Sequence, residues 1–167
     1  MQGKIREMNI AAAKLAREEA DRMMEITPDR PRFVAGSVGP TGKMLSMSEN
    51  ADDPAARSVS FDEITDAYEE QMSALIEGGV DAFLIETIFD TLNSKAALVA
   101  AERAMKKMGR RVELMLSLTI SDNSGRSLSG QTIEAFIASV SHAPLLSIGL
   151  NCGLGAEALL PYLRRIC

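Results

Sequence analysis

The chain has 167 residues, 46% of them hydrophobic and 25% charged, which is enough apolar side chain for one core and about one domain. Its net charge is −5 with basic residues scattered among acidic ones, and aromatics make up 4% with no Trp, so neither the basic stripe nor the stacking platform of a nucleic-acid binder is present. No apolar run approaches the roughly 18 residues that span a bilayer, and two cysteines make no disulfide framework.

The opening "MQGKIREMNIAAAKLAREEADRMM" has no apolar signal segment; a reduced, cytoplasmic setting is expected. Residues 1 to about 26 read as a helix, with Ile5, Met8, Ala12, Leu15, Ala16 and Met23 at helical spacing. No capping residue leads into it, so the chain is expected to begin inside an element. Pro28 and Pro31 break this helix, and "RFVAGSVGP" is a short apolar run closed by Gly and Pro. Residues 40 to 60 are a long polar loop. A second helix is predicted from about Asp62 to Glu77, stopped by "GGV", and "DAFLIETI" is the second apolar run.

The third helix, in "DTLNSKAALVAAERAMKKMG", has Asp90 or Thr91 as its N-cap and Gly109 just past its end. "VELMLSLTI" is the third run, followed by the polar loop "SDNSGRSLSGQT". Thr132 can cap a fourth helix to about Ser141. "PLLSIGLNC" is the fourth run, and "GAEALLPYLRRIC" opens a last helix. The alternation of helices and apolar runs predicts an α/β fold of parallel βα repeats, with both faces of the sheet covered. The later runs recur about every 31 residues, one βα unit each. An open doubly wound sheet and an eightfold (β/α)8 TIM barrel both use such units, and four strands make about half of the latter.

Each run ends in polar residues: Gly36-Ser37, Glu86-Thr87, Thr119 to Asp122, and Asn151-Cys152. In either architecture, the C-terminal edge of the strands is where ligands bind. Glu86 follows "AFLI" and must find donors or a cation. It is either a structural ion pair or helix cap, or a carboxylate that receives a ligand's ammonium group. Hydroxyls such as Thr119 and Ser121 more often bond local backbone. His142, before Pro144, reads as a helix C-terminal cap, and the methionines as core filler. "GSVGPTGK" lacks the spacing of a phosphate loop, since Met44 follows Lys43, which disfavours a nucleotide- or flavin-binding domain.

Cys152 is either a small core residue or a thiolate at a site. Zinc takes three or four ligands, and the one other cysteine, Cys167, lies about eleven helical residues further on, ~16 Å away. The residues alone leave Cys152 undecided.

"GGVDAFLIETIFDTLNSKAAL", "SLTISDNSGRSLSGQTIEAF" and "SIGLNCGLGAEAL" closely resemble the homocysteine-binding domain of cobalamin-dependent methionine synthase, and "RFVAGSVGPTGK" and "MNIAAAKLAREEAD" fit the same domain. The pairing of "ETIFDTLN" with "SGRSLSGQT" is most similar to this branch; the betaine- and S-methylmethionine-dependent enzymes share mainly the strand-end pattern. The resemblance implies a TIM barrel in which residues 1–167 are a central fragment of one domain, two βα units being absent at each end. It implies a zinc held by three cysteine thiolates. Cys152, in "GLNC", is the first of these, the other two belong to a later Cys-Cys pair, and Cys167 matches neither. It implies that Glu86 receives the amino group of homocysteine, with Gly36, Ser37, Thr119 and Asn151 on the same rim. It implies a methyl group delivered from methylcobalamin on another module, with a folate module as further partner. The fragment by itself is expected neither to hold zinc tightly nor to catalyse, and its open strand edges invite self-association.

Overall fold

The computed structural model describes residues 2–48 and 50–166. After a short turn at Gln2–Lys4 the elements run α1 (Ile5–Ile26), β1 (Ala35–Val38), α2 (Phe61–Gly78), β2 (Ala82–Ile88), α3 (Thr91–Met108), β3 (Glu113–Leu118), α4 (Ile133–Val140), β4 (Ser147–Leu150) and α5 (Ala156–Leu163). The strands form one open parallel sheet in the order β1-β2-β3-β4. Helix and strand alternate as the sequence predicts, in a partial TIM-barrel-like arrangement.

Local chemistry sets the helix ends. Ser60 and Glu63 form a reciprocal capping box at the start of α2; bonds from the Ser60 backbone and hydroxyl hold the Glu63 carboxyl below its ordinary pKa. The Asp90 carboxylate caps α3 through the Leu92 amide at 2.8 Å, and Thr132 caps α4 through the Ala135 amide at 3.3 Å. Lys4, ahead of α1, makes no side-chain cap. The last helix ends sooner than its sequence suggests, at Leu163, with Pro161 inside it. Cys167 lies outside the described residues.

The helices pack in chain order, α1 on α2, α2 on α3 and α3 on α4. Their core meets one face of the sheet through Val38, Phe83, Ile85, Leu114, Leu116 and Leu118. The expectation of two covered faces is corrected among the described residues: β1 alternates exposed with buried positions and every residue of β4 is half-buried. The less covered face carries Ser37, Leu84 and Met115 in register, and it would be the interior of a closed barrel. Sequence patterning overstated the second layer because short strands with Ala, Ser and Gly read as apolar runs without a partner layer to bury them.

Candidate functional site

The two ends of β2 treat their carboxylates differently. At the N-terminal end, Asp81 Oδ2 accepts from the Val34 amide and from Arg17 Nη1, both at 2.8 Å, with Arg110 at 3.8 Å. At the C-terminal end, Glu86 Oε1 accepts a 2.7 Å bond from Ser37 Oγ, and no cation is paired with it among the described residues. Glu86 is half-buried. Neither the structural ion pair nor the helix cap accounts for it, since Asp90 takes the cap.

Ser37 and Glu86 share the less covered face of neighbouring strands. Gly36 does not join them. It points at the helix layer, where an added Cβ would lie 3.0 Å from Leu75 Cδ1 and 3.1 Å from Val80 Cγ1. The missing side chain lets α2 approach the sheet. Both Gly36 and Ser37 lie within β1 rather than ending it, because Val38 still pairs with Ile85.

The loop after β1 is tied down over this corner. Asn93 Oδ1 accepts from the Leu45 amide at 3.0 Å while Nδ2 donates to the Lys43 carbonyl at 2.7 Å. Asp90 Oδ2 accepts from the Ser46 amide at 2.8 Å. Tyr68 donates to the Gly39 carbonyl at 3.3 Å. Burial raises the pKa of the Tyr68 hydroxyl above its ordinary value, and the Asp90 carboxylate acts in the same direction. A cleft remains between loop and sheet, lined by Thr41, Tyr68, Glu86, Phe89 and Asp90.

Across the rim, β2, β3 and β4 are joined by one side chain. Asn151 Oδ1 accepts from the Thr87 amide at 3.2 Å and from Ser117 Oγ at 2.8 Å. Its Nδ2 donates to Thr87 Oγ1 at 2.8 Å and to Cys152 Sγ at 3.3 Å. Thr87 and Cys152 are the non-glycine residues with positive φ among those described, 59° and 58°, a conformation that L side chains resist and that gathers at functional sites. The adjoining Gly153, at φ 68°, runs against the segment just past β3 so closely that a Cβ would sit 1.9 Å from the Ile120 carbonyl oxygen.

Thr119, just past β3, is buried at 2% exposure, and its Oγ1 has no hydrogen-bond partner among the described residues. The loop after β3 docks on the turn after β2: Ser129 Oγ donates to the Phe89 carbonyl at 2.9 Å. Cys152 is a free, exposed thiol, which removes the buried-core reading. As a donor set for zinc, the described residues are incomplete. No group of three or more His, Cys, Asp or Glu is gathered for a metal among the described residues, so Cys152 offers one thiolate and no closed site.

Sequence reasoning reached Glu86, Ser37, Thr119, Asn151 and Cys152. It took Asp90 only as a cap and Thr87 only as part of a polar strand end, and it missed Asn93, Ser117 and Tyr68. The spacing of Asp90 and Asn93, one helical turn apart at the start of α3, was the available signal for the loop anchor.

The family model for homocysteine S-methyltransferases matches residues 1–167. Among solved structures, the apo form of the homocysteine methyltransferase MmuM from Escherichia coli superposes with a TM-score of 0.76 at 20% identity, covering 100% of this chain and 57% of that one. Its metallated form gives 0.74 at 20% identity, with 97% and 55% covered. The chain therefore spans a little over half the length of the enzyme whose fold it shares.

Proposed function

The chain belongs to the homocysteine S-methyltransferase family, and on that footing we propose that it is the central part of the homocysteine-binding module of a cobalamin-dependent methionine synthase. Glu86 receives the ammonium group of homocysteine. Ser37 orients the Glu86 carboxylate, and Thr119 lines the same rim. Cys152 supplies one of three zinc thiolates, the others coming from chain beyond residue 167.

A free thiol with a pKa near 8.5 is mostly protonated at neutral pH, and its thiolate is the nucleophile. Zinc, when bound by the complete domain, acts as a Lewis acid that favours the thiolate of homocysteine. What this chain contributes is orientation: an anionic carboxylate fixes the amino end of the substrate, and the rim of β3 and β4 faces its sulfur end. Methylcobalamin, carried on another module, is the methyl donor, with a folate module reloading it.

The observation that carries this reading is Glu86, half-buried at the rim with one hydroxyl donor and no paired cation among the described residues. Calorimetric titration of L-homocysteine into the full-length parent tests it. Glu86→Gln should weaken binding about 10- to 100-fold, the worth of one charge-assisted bond of about 1.5–3 kcal/mol; unchanged affinity rejects the assignment. Assays with methylcobalamin, betaine and S-methylmethionine identify the donor branch. The 167-residue chain alone should retain no stoichiometric zinc after metal dialysis and form no methionine. Tight zinc by elemental analysis would refute that.

A further inference from the structure

A polar pocket of about 190 Å³ lies where the loop after β1, the start of α3 and the loop after β3 meet. Ser46, Asp90, Thr91, Lys95, Ser129 and Gln131 stand on its walls. It is distinct from the cleft that holds Glu86, although Asp90 borders both. Pockets for whole ligands run to ~300–1,000 Å³, so this one has room for a single chemical group.

Several of its polar groups have no use within the fold. Thr91 is 8% exposed and its hydroxyl has no hydrogen-bond partner among the described residues, an arrangement that costs stability and calls for an explanation. Lys95 stands one turn further along the same helix face and forms no ion pair among the described residues. Ser46 and Gln131 hydrogen-bond through their backbones alone. The 18-residue helix α3 has no acidic residue in its first turn, and a lysine in its second turn adds to the positive end of its dipole. The carboxylate at this end is the cap Asp90, and both its oxygens accept amides, from Leu92 and from Ser46, each at 2.8 Å. Its charge offsets the helix end and leaves the ammonium of Lys95 unanswered.

We propose that this pocket binds a phosphate group. Helix N-termini attract anions, and lysine is a frequent point-charge partner of phosphate. The unused donors come from three separate elements, which suits a tetrahedral oxyanion that accepts from several directions at once. In the bound state the Thr91 hydroxyl donates to a phosphate oxygen and gains the partner it lacks, while Lys95 supplies the countercharge. No part of this rests on the homocysteine reading.

Calorimetric titration of inorganic phosphate into the full-length parent, with ionic strength held constant by chloride, tests the site. Saturable one-to-one binding is expected. Lys95→Met should weaken it about 10-fold or more, and Thr91→Val, which keeps the shape but not the hydroxyl, about 2- to 10-fold. Lys106→Met makes the same charge change in the last turn of α3 and should leave the affinity unchanged. Without phosphate, Thr91→Val should unfold at the same temperature as the parent or a higher one, because an orphaned buried hydroxyl has been removed. Absence of saturable binding, unchanged affinity in Lys95→Met or Thr91→Val, or an equal loss in Lys106→Met each overturns the proposal. A lower Tm for phosphate-free Thr91→Val overturns it too, since the hydroxyl would then serve the fold. Glycerol 3-phosphate binding tighter than inorganic phosphate supports a phosphate ester as the ligand, and weaker binding supports the free ion. Acetate binding as tightly as phosphate overturns the assignment.

Discussion

Thr87 and Cys152 sit at the tips of two strands that are not neighbours, and the single side chain of Asn151 bonds to both while each holds a left-handed backbone. Such a backbone costs about 1–2 kcal/mol for a residue with a Cβ. The strain is tolerated at the edge where the ladder between β2 and β3 also breaks register, between Ile85 and Ile88. Cys152→Gly should therefore stabilise the fold by about 0.5–1 kcal/mol, after the entropy that glycine loses on folding. Thermal unfolding would show a rise of roughly 2 °C; a fall would mean that the side chain contributes more than its backbone costs.

Gly153→Ala should have the opposite effect. The added Cβ meets the Ile120 carbonyl oxygen, just past β3, at 1.9 Å in a backbone already at φ 68°, so the turn after β4 must move away from the segment after β3. A loss of about 2–4 kcal/mol is expected for a clash of this kind. Urea denaturation measures it, and a loss under 1 kcal/mol would show that the turn gives way easily.

Asn93→Ala should free the loop after β1. The Leu45 amide and the Lys43 carbonyl lose their partner together, while the Asp90 cap of α3 stays in place. Limited trypsin digestion should cut after Lys43 at least several-fold faster at unchanged helix content. Equal rates would show that the Ser46–Asp90 bond suffices.

Alkali should expose Tyr68. Its hydroxyl pKa is raised in the folded protein, chiefly by burial, so above the ordinary tyrosine value near 10 the unfolded chain has lost a proton that the folded chain keeps. Stability is fully present below that pH and falls as pH rises through the folded value. The chain has two tyrosines and no Trp, which makes phenolate absorbance readable: the late-ionising component should vanish in Tyr68→Phe. Its persistence would assign it elsewhere.

The βα alternation and the caps Asp90, Thr132 and Gly109 were legible in sequence because each depends on residues within one helical turn or on a period of apolar spacing. Glu86 and Cys152 could be placed at the rim because each closes an apolar run, although the residues alone left both with more than one reading. Asn151 could be placed at the rim, but its partners Thr87 and Ser117 lie 64 and 34 residues away, and no local pattern encodes such a distance. Gly36 misled for a related reason. A glycine near a strand end is compatible with close approach by a ligand or by a helix, and only the position of Leu75 and Val80 decides for the helix.

The sheet order β1-β2-β3-β4 follows the chain, each helix crossing over to the adjacent strand, and this bears on how the molecule assembles. Every strand pairs with the one just before it, so each loop closed is one βα unit long and no early strand waits for a late one. The chain can be laid down unit by unit as it leaves the ribosome, each helix sealing the strand pair behind it. Until the next unit arrives, the growing edge is open to a wrong strand, as the outer edge of β1 is throughout.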